Sequence, residues 1–93
     1  MSSSNIVKEY IIPNKLGLHA RVAARLSKLL LQHSSSIYID NGSYKINGKS
    51  ILEIMSLGAE QGSKLTFFID GDDSTEVIES LDEFFANNLG DED

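Results

Sequence analysis

The dipeptide Asn41-Gly42 separates two short segments that are rich in β-branched and aromatic residues. This pattern is typical of a β-hairpin with a two-residue turn, because both turn positions need a positive φ. Such a turn sets Ile39 opposite Tyr44. One step further from the turn it sets Ile37 opposite Ile46, so that all four side chains share one face. The sequence therefore predicts an antiparallel pair of strands at the centre of the chain.

Hydrophobic periodicity predicts five more elements around this hairpin. They are a strand over 6–12, a helix from His19 onward, a short helix that Gly58 ends, a strand over 65–69, and a final helix that residues 73–76 cap. The final helix has the clearest apolar stripe, which consists of Val77, Ile78, Leu81, Phe84, Phe85 and Leu89. The order is β-α-β-β-α-β-α, which predicts an α+β fold. Short alternating strands favour a mostly antiparallel sheet with one face covered by the three helices. Periodicity does not choose a strand order, and a split β-α-β of the ferredoxin type has the same element order.

The chain has 93 residues, which is the size of one domain with one core. It has no cysteine and two histidines, so we expect neither a disulfide framework nor a metal site, and no cofactor. It has neither a basic, apolar leader nor an apolar run of membrane-spanning length, which favours the cytoplasm and no membrane insertion. We expect a single domain over 1–93, a monomer, and frayed ends at 1–5 and 90–93.

Charge is distributed unevenly along the sequence. Residues 1–69 carry all 8 Lys and Arg with 4 of the Asp and Glu, whereas residues 70–93 carry the other 10 acidic residues and no base. The net charge of −6 disfavours nucleic-acid binding. The mildly basic first part remains suited to an anion or an acidic partner protein.

The segment from Gly17 to Arg21 contains the residues that best predict chemistry. His19 falls near the N-cap of the first helix, where the first backbone amides have no partner within the helix and the dipole is positive. The amides of Ala20, Arg21 and Val22 therefore form a candidate anion site. A neutral imidazole, free amides and the Arg21 guanidinium together suit a histidine that accepts and releases a phosphoryl group. The alternative without a chemical function is that His19 serves only as a poor N-cap and that Arg21 is a solvated charge.

Ser50 and Glu53 fit a capping box, in which the serine hydroxyl accepts from the Glu53 amide and Glu53 reaches back to the Ser50 amide. The helix that follows is too short to bury all its apolar residues, and we expect Ile54 and Leu57 to enter the core. Leu52 and Met55, with part of Ile51, then face outward as a docking patch. The alternative is that this patch packs under the loop after Gly17. His33 is interpreted as plain surface.

Two segments resemble the HPr phosphocarrier family of the phosphoenolpyruvate-dependent phosphotransferase system. Residues 14–24, NKLGLHARVAA, are similar to its active-site segment, and residues 47–62, NGKSILEIMSLGAEQG, to its regulatory-serine segment. The resemblance runs from about residue 6 to residue 89. It implies an open-faced β-sandwich of four antiparallel strands and three helices, which agrees with the predicted element order.

The resemblance also implies roles for individual residues and partners. His19 matches the histidine that enzyme I phosphorylates on Nδ1, with phosphoenolpyruvate as the source, and Arg21 matches the arginine that stabilises the phosphoryl group. Ser50 matches the serine that HPr kinase/phosphorylase modifies in some bacteria. The patch of Ile51, Leu52 and Met55 matches the surface that docks enzyme I and the EIIA-type acceptors. Such a protein is a stoichiometric phosphocarrier rather than a turnover enzyme.

Val22 departs from the family pattern, which has proline directly after the arginine. Proline would preset φ in the first turn and remove one amide donor, whereas valine keeps the donor. We therefore expect an altered transfer rate or partner preference rather than loss of function.

Three other functions remain open from the sequence. The first is a nitrogen-type carrier of the same family that feeds regulators instead of sugar permeases. The second is an interaction module in which His19 is never phosphorylated. The third is a small anion- or RNA-binding domain, which the acidic balance and the lack of interleaved basic and aromatic residues disfavour.

Overall fold

The computed structural model describes residues 5–92 of the chain. Its strands are β1 (Asn5–Ile11), β2 (Ser36–Asp40), β3 (Lys45–Asn47) and β4 (Lys64–Asp70). Its helices are α1 (Ala20–Leu31), α2 (Ile51–Ser56) and α3 (Ser74–Ala86), and a 3₁₀ turn follows at Asn88–Gly90. The predicted β-α-β-β-α-β-α order is confirmed.

The four strands form one antiparallel sheet in the order β1-β4-β2-β3. The three helices cover one face of this sheet, and the other face is open. Alternation along β4 buries Leu65, Phe67 and Ile69 under the helices, while Thr66 and Phe68 lie on the open face. The predicted α+β open-faced sandwich is confirmed.

The core consists of apolar residues from every helix and from the covered face of the sheet. Side chains that are essentially unexposed are Ile12, Val22, Leu26, Leu30, Ile37, Ile39, Ile54, Leu65, Phe67, Ile69, Val77, Leu81 and Leu89. The predicted stripe of α3 packs on this core, with Val77, Leu81 and Phe85 buried. Tyr10 of β1 stacks on Phe85 with ring centroids 4.3 Å apart. These contacts fix the direction in which the chain leaves α3.

The predicted register of the central hairpin is wrong by two residues. Ile39 pairs with Ile46 rather than with Tyr44, and Tyr44 precedes β3. The side chain of Asn41 causes the difference, because its Oδ1 accepts the amides of Ser43 and Tyr44 at 2.9 and 3.0 Å. The connection therefore contains four residues instead of two. A shift of two keeps the alternation, so that Ile39 and Ile46 still face the core.

Asp73 stands at the N-cap of α3 as predicted, but its side chain makes no capping bond. Instead its carboxylate accepts the amides of Ser34 and Ser35, both at 3.0 Å, and the Ser35 hydroxyl. Nδ1 of His33 lies 3.1 Å from the same carboxylate, and the His33 side chain is only 14% exposed. The interpretation of His33 as plain surface is therefore wrong. The bond from Ser35 is the largest cause that holds the pKa of Asp73 well below its usual range.

The structure describes part of each end of the chain for which fraying is expected. Asn5 pairs with Asp70 in the sheet. Gly90 closes the 3₁₀ turn, and the Asp91 side chain is only 4% exposed. Residues 1–4 and 93, on which the rest of that prediction falls, lie outside the described residues. Within residues 5–92, none of the helices combines the length and the apolar character that a membrane span requires.

Candidate functional site

His19 is the N-cap residue of α1, with an extended backbone (φ −77°, ψ 176°) and no capping bond from its own side chain. Backbone hydrogen bonding of the helix begins with the Ala23 amide, which donates to the His19 carbonyl at 2.9 Å. The amides of Ala20, Arg21 and Val22 therefore occupy the first turn, where a helix offers unpaired donors. The predicted position of His19 at the helix start is confirmed.

The loop before His19 is fixed from two sides. The Leu18 amide donates to the carbonyl of Ala59, in the segment after α2, at 3.0 Å. The buried Asn14 side chain donates to the Gly17 carbonyl at 2.9 Å. Gly17 itself has a φ of +67°, a conformation that glycine adopts without strain. The backbone that carries the His19 imidazole is therefore held in place by hydrogen bonds within the protein.

A carboxylate that the sequence analysis missed lies against the His19 ring. Oδ2 of Asp91 is 2.9 Å from Nε2 of His19 and accepts from the Asn14 side-chain amide at 2.8 Å. Oδ1 of Asp91 accepts from Nη1 of Arg25 at 2.9 Å, and the Arg21 guanidinium lies 3.5 Å away. The hydrogen bond with His19 is the largest cause that holds the pKa of Asp91 well below its usual range.

The two arginines make unequal contacts at this site. Arg25 Nη1 also donates to the Leu89 carbonyl at 3.1 Å, so Arg25 bridges the 3₁₀ turn and the Asp91 carboxylate. The Arg21 side chain is 60% exposed and has only the longer 3.5 Å approach to Asp91. Arg21 is thus the guanidinium that is free to reach an incoming anion.

Arg25 and Asp91 differ in how far the sequence could have revealed them. Arg25 follows Arg21 by one helical turn, a spacing that places two side chains on the same face. This spacing places Arg25 beside Arg21 from the sequence alone. Asp91 lies 72 residues from His19 and belongs to a run of acidic residues with no distinguishing spacing. Only the path of the chain after α3 brings it to the ring.

Ser50 caps α2 as predicted, and its hydroxyl accepts from the Glu53 amide at 3.2 Å. The second half of the predicted capping box is wrong. Oε1 of Glu53 accepts from the Asn47 amide at 2.9 Å, while the Ser50 amide donates to the Asn47 carbonyl. Glu53 therefore reaches one turn further back and ties α2 to the end of β3.

The outward residues of α2 form an apolar patch. Leu52 is 80% exposed, and Ile51 and Met55 are 43% and 40% exposed, whereas Ile54 and Leu57 are buried as predicted. Helix α2 packs against α1, and the segment that follows it holds the His19 loop through Ala59. The alternative, in which this patch packs under the loop, is wrong for Leu52.

Two arginines and the first turn of α1 surround the His19 ring. Among residues 5–92, no group of three or more His, Cys, Asp or Glu side chains is placed to hold a metal ion. A cavity lies between the hairpin turn and the segment after α2, and residues such as Asn41, Gly58 and Thr66 line it. None of the predicted site residues lines this cavity.

Comparison with known proteins agrees with this geometry. The family model described as "PTS HPr component phosphorylation site" matches residues 6–87. The phosphocarrier protein HPr of Xylella fastidiosa (strain 9a5c) is 36% identical over 84 residues, which cover 90% of this chain and 94% of that protein. A multiphosphoryl transfer protein of Haemophilus influenzae is 38% identical over 88 residues, 91% of this chain but 18% of that much longer protein.

A solved structure of an HPr from Thermoanaerobacter tengcongensis superimposes with a TM-score of 0.87 at 38% identity. The match covers 94% of this chain and 98% of that one. The resemblance that the two sequence segments suggested is therefore confirmed over nearly the whole fold. The chain belongs to the HPr family of phosphocarriers of the phosphotransferase system.

Proposed function

We propose that His19 takes a phosphoryl group on Nδ1 from phospho-enzyme I, for which phosphoenolpyruvate is the ultimate source, and passes it to an EIIA-type acceptor. The observation that carries this proposal is the bond between Nε2 of His19 and the Asp91 carboxylate at 2.9 Å. An ionised carboxylate only accepts hydrogen bonds, so in the neutral ring Nε2 carries the proton and Nδ1 carries the lone pair. The nucleophile is thereby ready at the start of α1.

The transfer makes one bond and breaks one. The Nδ1 lone pair attacks phosphorus, and the bond between phosphorus and the donor breaks, so that the donor leaves with the electron pair. The amides of Ala20, Arg21 and Val22 and the exposed Arg21 guanidinium stabilise the phosphoryl oxygens. Transfer to the acceptor runs through the same steps in reverse. Because His19 is consumed and regenerated, the chain is a stoichiometric carrier and not a turnover enzyme.

The patch of Ile51, Leu52 and Met55 is the proposed docking surface for enzyme I and the acceptor. It is apolar, exposed and connected to the His19 loop through Ala59. Exposed apolar residues that adjoin a reactive group favour transient protein contacts. Met55 adds an unbranched side chain that adapts to more than one partner.

The decisive experiment for His19 mixes the chain with enzyme I and phosphoenolpyruvate and assays for acid-labile, base-stable phosphate. We expect wild type to be labelled at His19 and His19→Ala to remain unlabelled. His33→Ala removes the other histidine and serves as the matched control, which should label like wild type. An unlabelled wild type would instead favour the interaction module. The RNA-binding alternative predicts RNA affinity that falls steeply with salt.

Ser50 is a proposed site of regulation by HPr kinase/phosphorylase. Its hydroxyl already lies at the N-terminus of α2, where the helix dipole and amides stabilise a phosphate. The added negative charge would therefore act on an acidic partner surface rather than on the fold. Incubation with the kinase and mass spectrometry of the peptide that contains Ser50 tests this. A peptide that stays unmodified leaves the serine with a capping role alone.

A nitrogen-type carrier, which feeds regulators in place of sugar permeases, is the second candidate. The acidic balance of residues 70–93 and the lead-in from Asn14 to Gly17 are compatible with it, and the sequence does not separate the two branches. Transfer from the labelled chain to purified acceptors of the two branches distinguishes them. The acceptor that discharges His19 faster identifies the branch.

A further inference from the structure

We propose that Asp91 is a positioning residue for phosphoryl transfer, which fixes the tautomer of the His19 ring and stabilises the positive charge that the ring gains when the nitrogen–phosphorus bond forms. This inference rests on the proposed function of His19 and assigns to Asp91 a role that no motif of the sequence indicates. Arg25 and Asn14 act through Asp91 by holding its carboxylate in place.

The hydrogen-bond donors around Asp91 leave one protonation pattern for the ring. Asn14 presents its amide nitrogen to Oδ2, and the same nitrogen donates to the Gly17 carbonyl, which fixes its orientation. The arginines that approach Oδ1 have donors only. Every neighbour of the carboxylate therefore donates to it, and the carboxylate in turn requires a donor at Nε2 of His19.

Burial makes this contact strong. The Asp91 side chain is 4% exposed and the His19 side chain 22% exposed. A hydrogen bond between a charged and a neutral group gains strength where water is excluded. The lowered pKa of Asp91 agrees, because the bond with His19 favours the ionised carboxylate. Asp91 is thus an acceptor throughout the neutral pH range.

The chemistry of transfer gives the carboxylate a second effect. When Nδ1 forms a bond to phosphorus while Nε2 keeps its proton, the ring becomes cationic. A buried anion 2.9 Å from Nε2 stabilises that charge as it develops. The retained proton also makes the ring a better leaving group in the next transfer, because it departs as the neutral imidazole. Phosphorylation of His19 and transfer of the phosphoryl group from it then both depend on the contact between Nε2 and Asp91.

The two arginines have different roles at this site. Arg25 is bonded to both the Leu89 carbonyl and Asp91 at 3.1 and 2.9 Å, so it keeps the carboxylate in place. Arg21 approaches Asp91 only to 3.5 Å from a side chain that is 60% exposed. Arg21 can therefore turn to the phosphoryl group while Arg25 remains with Asp91. The ring keeps its orientation during the exchange.

Asp91→Asn tests the proposal with little change of shape. Two charged guanidinium groups lie at the Oδ1 position and only the neutral Asn14 amide lies at Oδ2, so the oxygen of the new amide takes the Oδ1 position and its nitrogen faces Nε2 of His19. That nitrogen is a donor, and Nε2 must then accept, which moves the ring proton to Nδ1 and blocks the nucleophile. The matched control is Glu92→Gln, which removes the same charge from an exposed neighbour.

Two measurements follow on each variant. Imidazole ¹⁵N chemical shifts of the unphosphorylated protein report which ring nitrogen carries the proton, and rapid-quench labelling with enzyme I and phosphoenolpyruvate gives the transfer rate. We expect wild type and Glu92→Gln to carry the proton on Nε2. We expect Asp91→Asn to shift it to Nδ1 and to slow transfer by roughly a hundred- to ten-thousandfold, since the same substitution beside a triad histidine, which gives that ring the wrong tautomer, lowers kcat by about 10⁴.

Arg25→Gln provides a second variant that leaves the carboxylate charge in place. It should shift the tautomer in the same direction as Asp91→Asn and slow transfer by a smaller factor. Dispersed amide spectra confirm that each variant is folded. A tautomer and a rate that both stay at wild-type values in folded Asp91→Asn would overturn the proposal. A wild type that takes up no phosphate would instead refute the proposed function, and the tautomer measurement would still decide whether Asp91 sets the ring proton.

Discussion

The Leu18 amide donates to the Ala59 carbonyl at 3.0 Å, which joins the loop before His19 to the segment after α2. This contact requires Gly17 beside it, because a Cβ at Gly17 would lie 2.9 Å from Cα of Glu60 and still closer to the Ala59 carbonyl oxygen. Gly17 also has a φ of +67°. The loop before His19 and the segment after α2 are therefore held together by a contact that requires glycine at position 17.

Gly17→Ala should destabilise the fold by at least about 2 kcal/mol, because left-handed backbone strain and a steric clash act together. Urea unfolding monitored by circular dichroism measures the loss. Gly42→Ala is the matched control, since Gly42 also has a positive φ of +98° but no atom within 4 Å of an added Cβ. It should lose only about 1 kcal/mol from strain. Equal losses in the two variants would show that the close approach at Ala59 is unimportant.

Leu52→Ser should weaken binding of enzyme I while leaving the fold intact, because 80% of the Leu52 side chain is exposed. A change of this kind at an interface residue typically weakens binding by about 1–2 kcal/mol, or roughly five- to thirtyfold in Kd. Isothermal titration calorimetry with enzyme I gives the affinity. Leu31→Ser places the same substitution at an exposed leucine near the far end of α1, and it should bind like wild type. Unchanged affinity in Leu52→Ser would argue against α2 as the docking surface.

Val22→Pro introduces the residue that the family usually has after the arginine. Val22 is fully buried and occupies the third position of α1, where its amide is one of the proposed phosphoryl donors. Proline removes that donor and stiffens the first turn, two effects that oppose each other. We expect the transfer rate to change by less than about tenfold, because the stiffer first turn offsets part of the roughly 1.5–3 kcal/mol that a hydrogen bond to a charged group is worth. An inactive wild type that proline rescues would contradict the expectation.

Asp73→Asn should lower the stability of the fold by about 2 kcal/mol at neutral pH, because the carboxylate accepts from two backbone amides and from Ser35. The pKa of Asp73 is lowered in the folded state, so its contribution is complete above the ordinary aspartate pKa of about 4. It is lost as the pH falls below that value toward the lowered folded pKa.

Urea unfolding of wild type and Asp73→Asn at pH 7 and at about pH 2.5 tests this dependence. The difference between them should be largest at pH 7 and should shrink in acid. Asp72→Asn changes an exposed neighbour and should have an effect within about 0.5 kcal/mol at either pH. A difference between wild type and Asp73→Asn that does not depend on pH would exclude the ionised carboxylate as its source.

Local patterns predicted most of the fold because the hydrophobic periodicity of most segments matches the helix or strand that they form. The stripe from Val77 to Phe85 repeats every three to four residues, and the structure buries it as a helix face. The hairpin was predicted with the wrong register because the Asn41 side chain bonds two amides of its own turn. A side chain that competes for backbone donors changes the turn without changing the hydrophobic pattern.

Only part of the candidate site could be predicted, because some of its residues meet through contacts between distant parts of the chain. His19 and Arg21 follow from the start of a helix, which the sequence shows directly. Asp91 and His33 are positioned by contacts across 72 and 40 residues, and no local spacing encodes those contacts. The same holds for Asp73, whose place before a helix suggested a cap although its bonds go to another loop.

The bond between His19 and Asp91 has a consequence for protein synthesis. Ribosomes add about 5–20 residues per second, so roughly 4–15 s separate the translation of these two residues. During that interval the nascent chain contains the histidine without the carboxylate that sets its proton. On the proposed role of Asp91, a growing polypeptide that has not yet reached residue 91 is a poor phosphoryl acceptor from phospho-enzyme I, and it becomes competent only after Asp91 has been added.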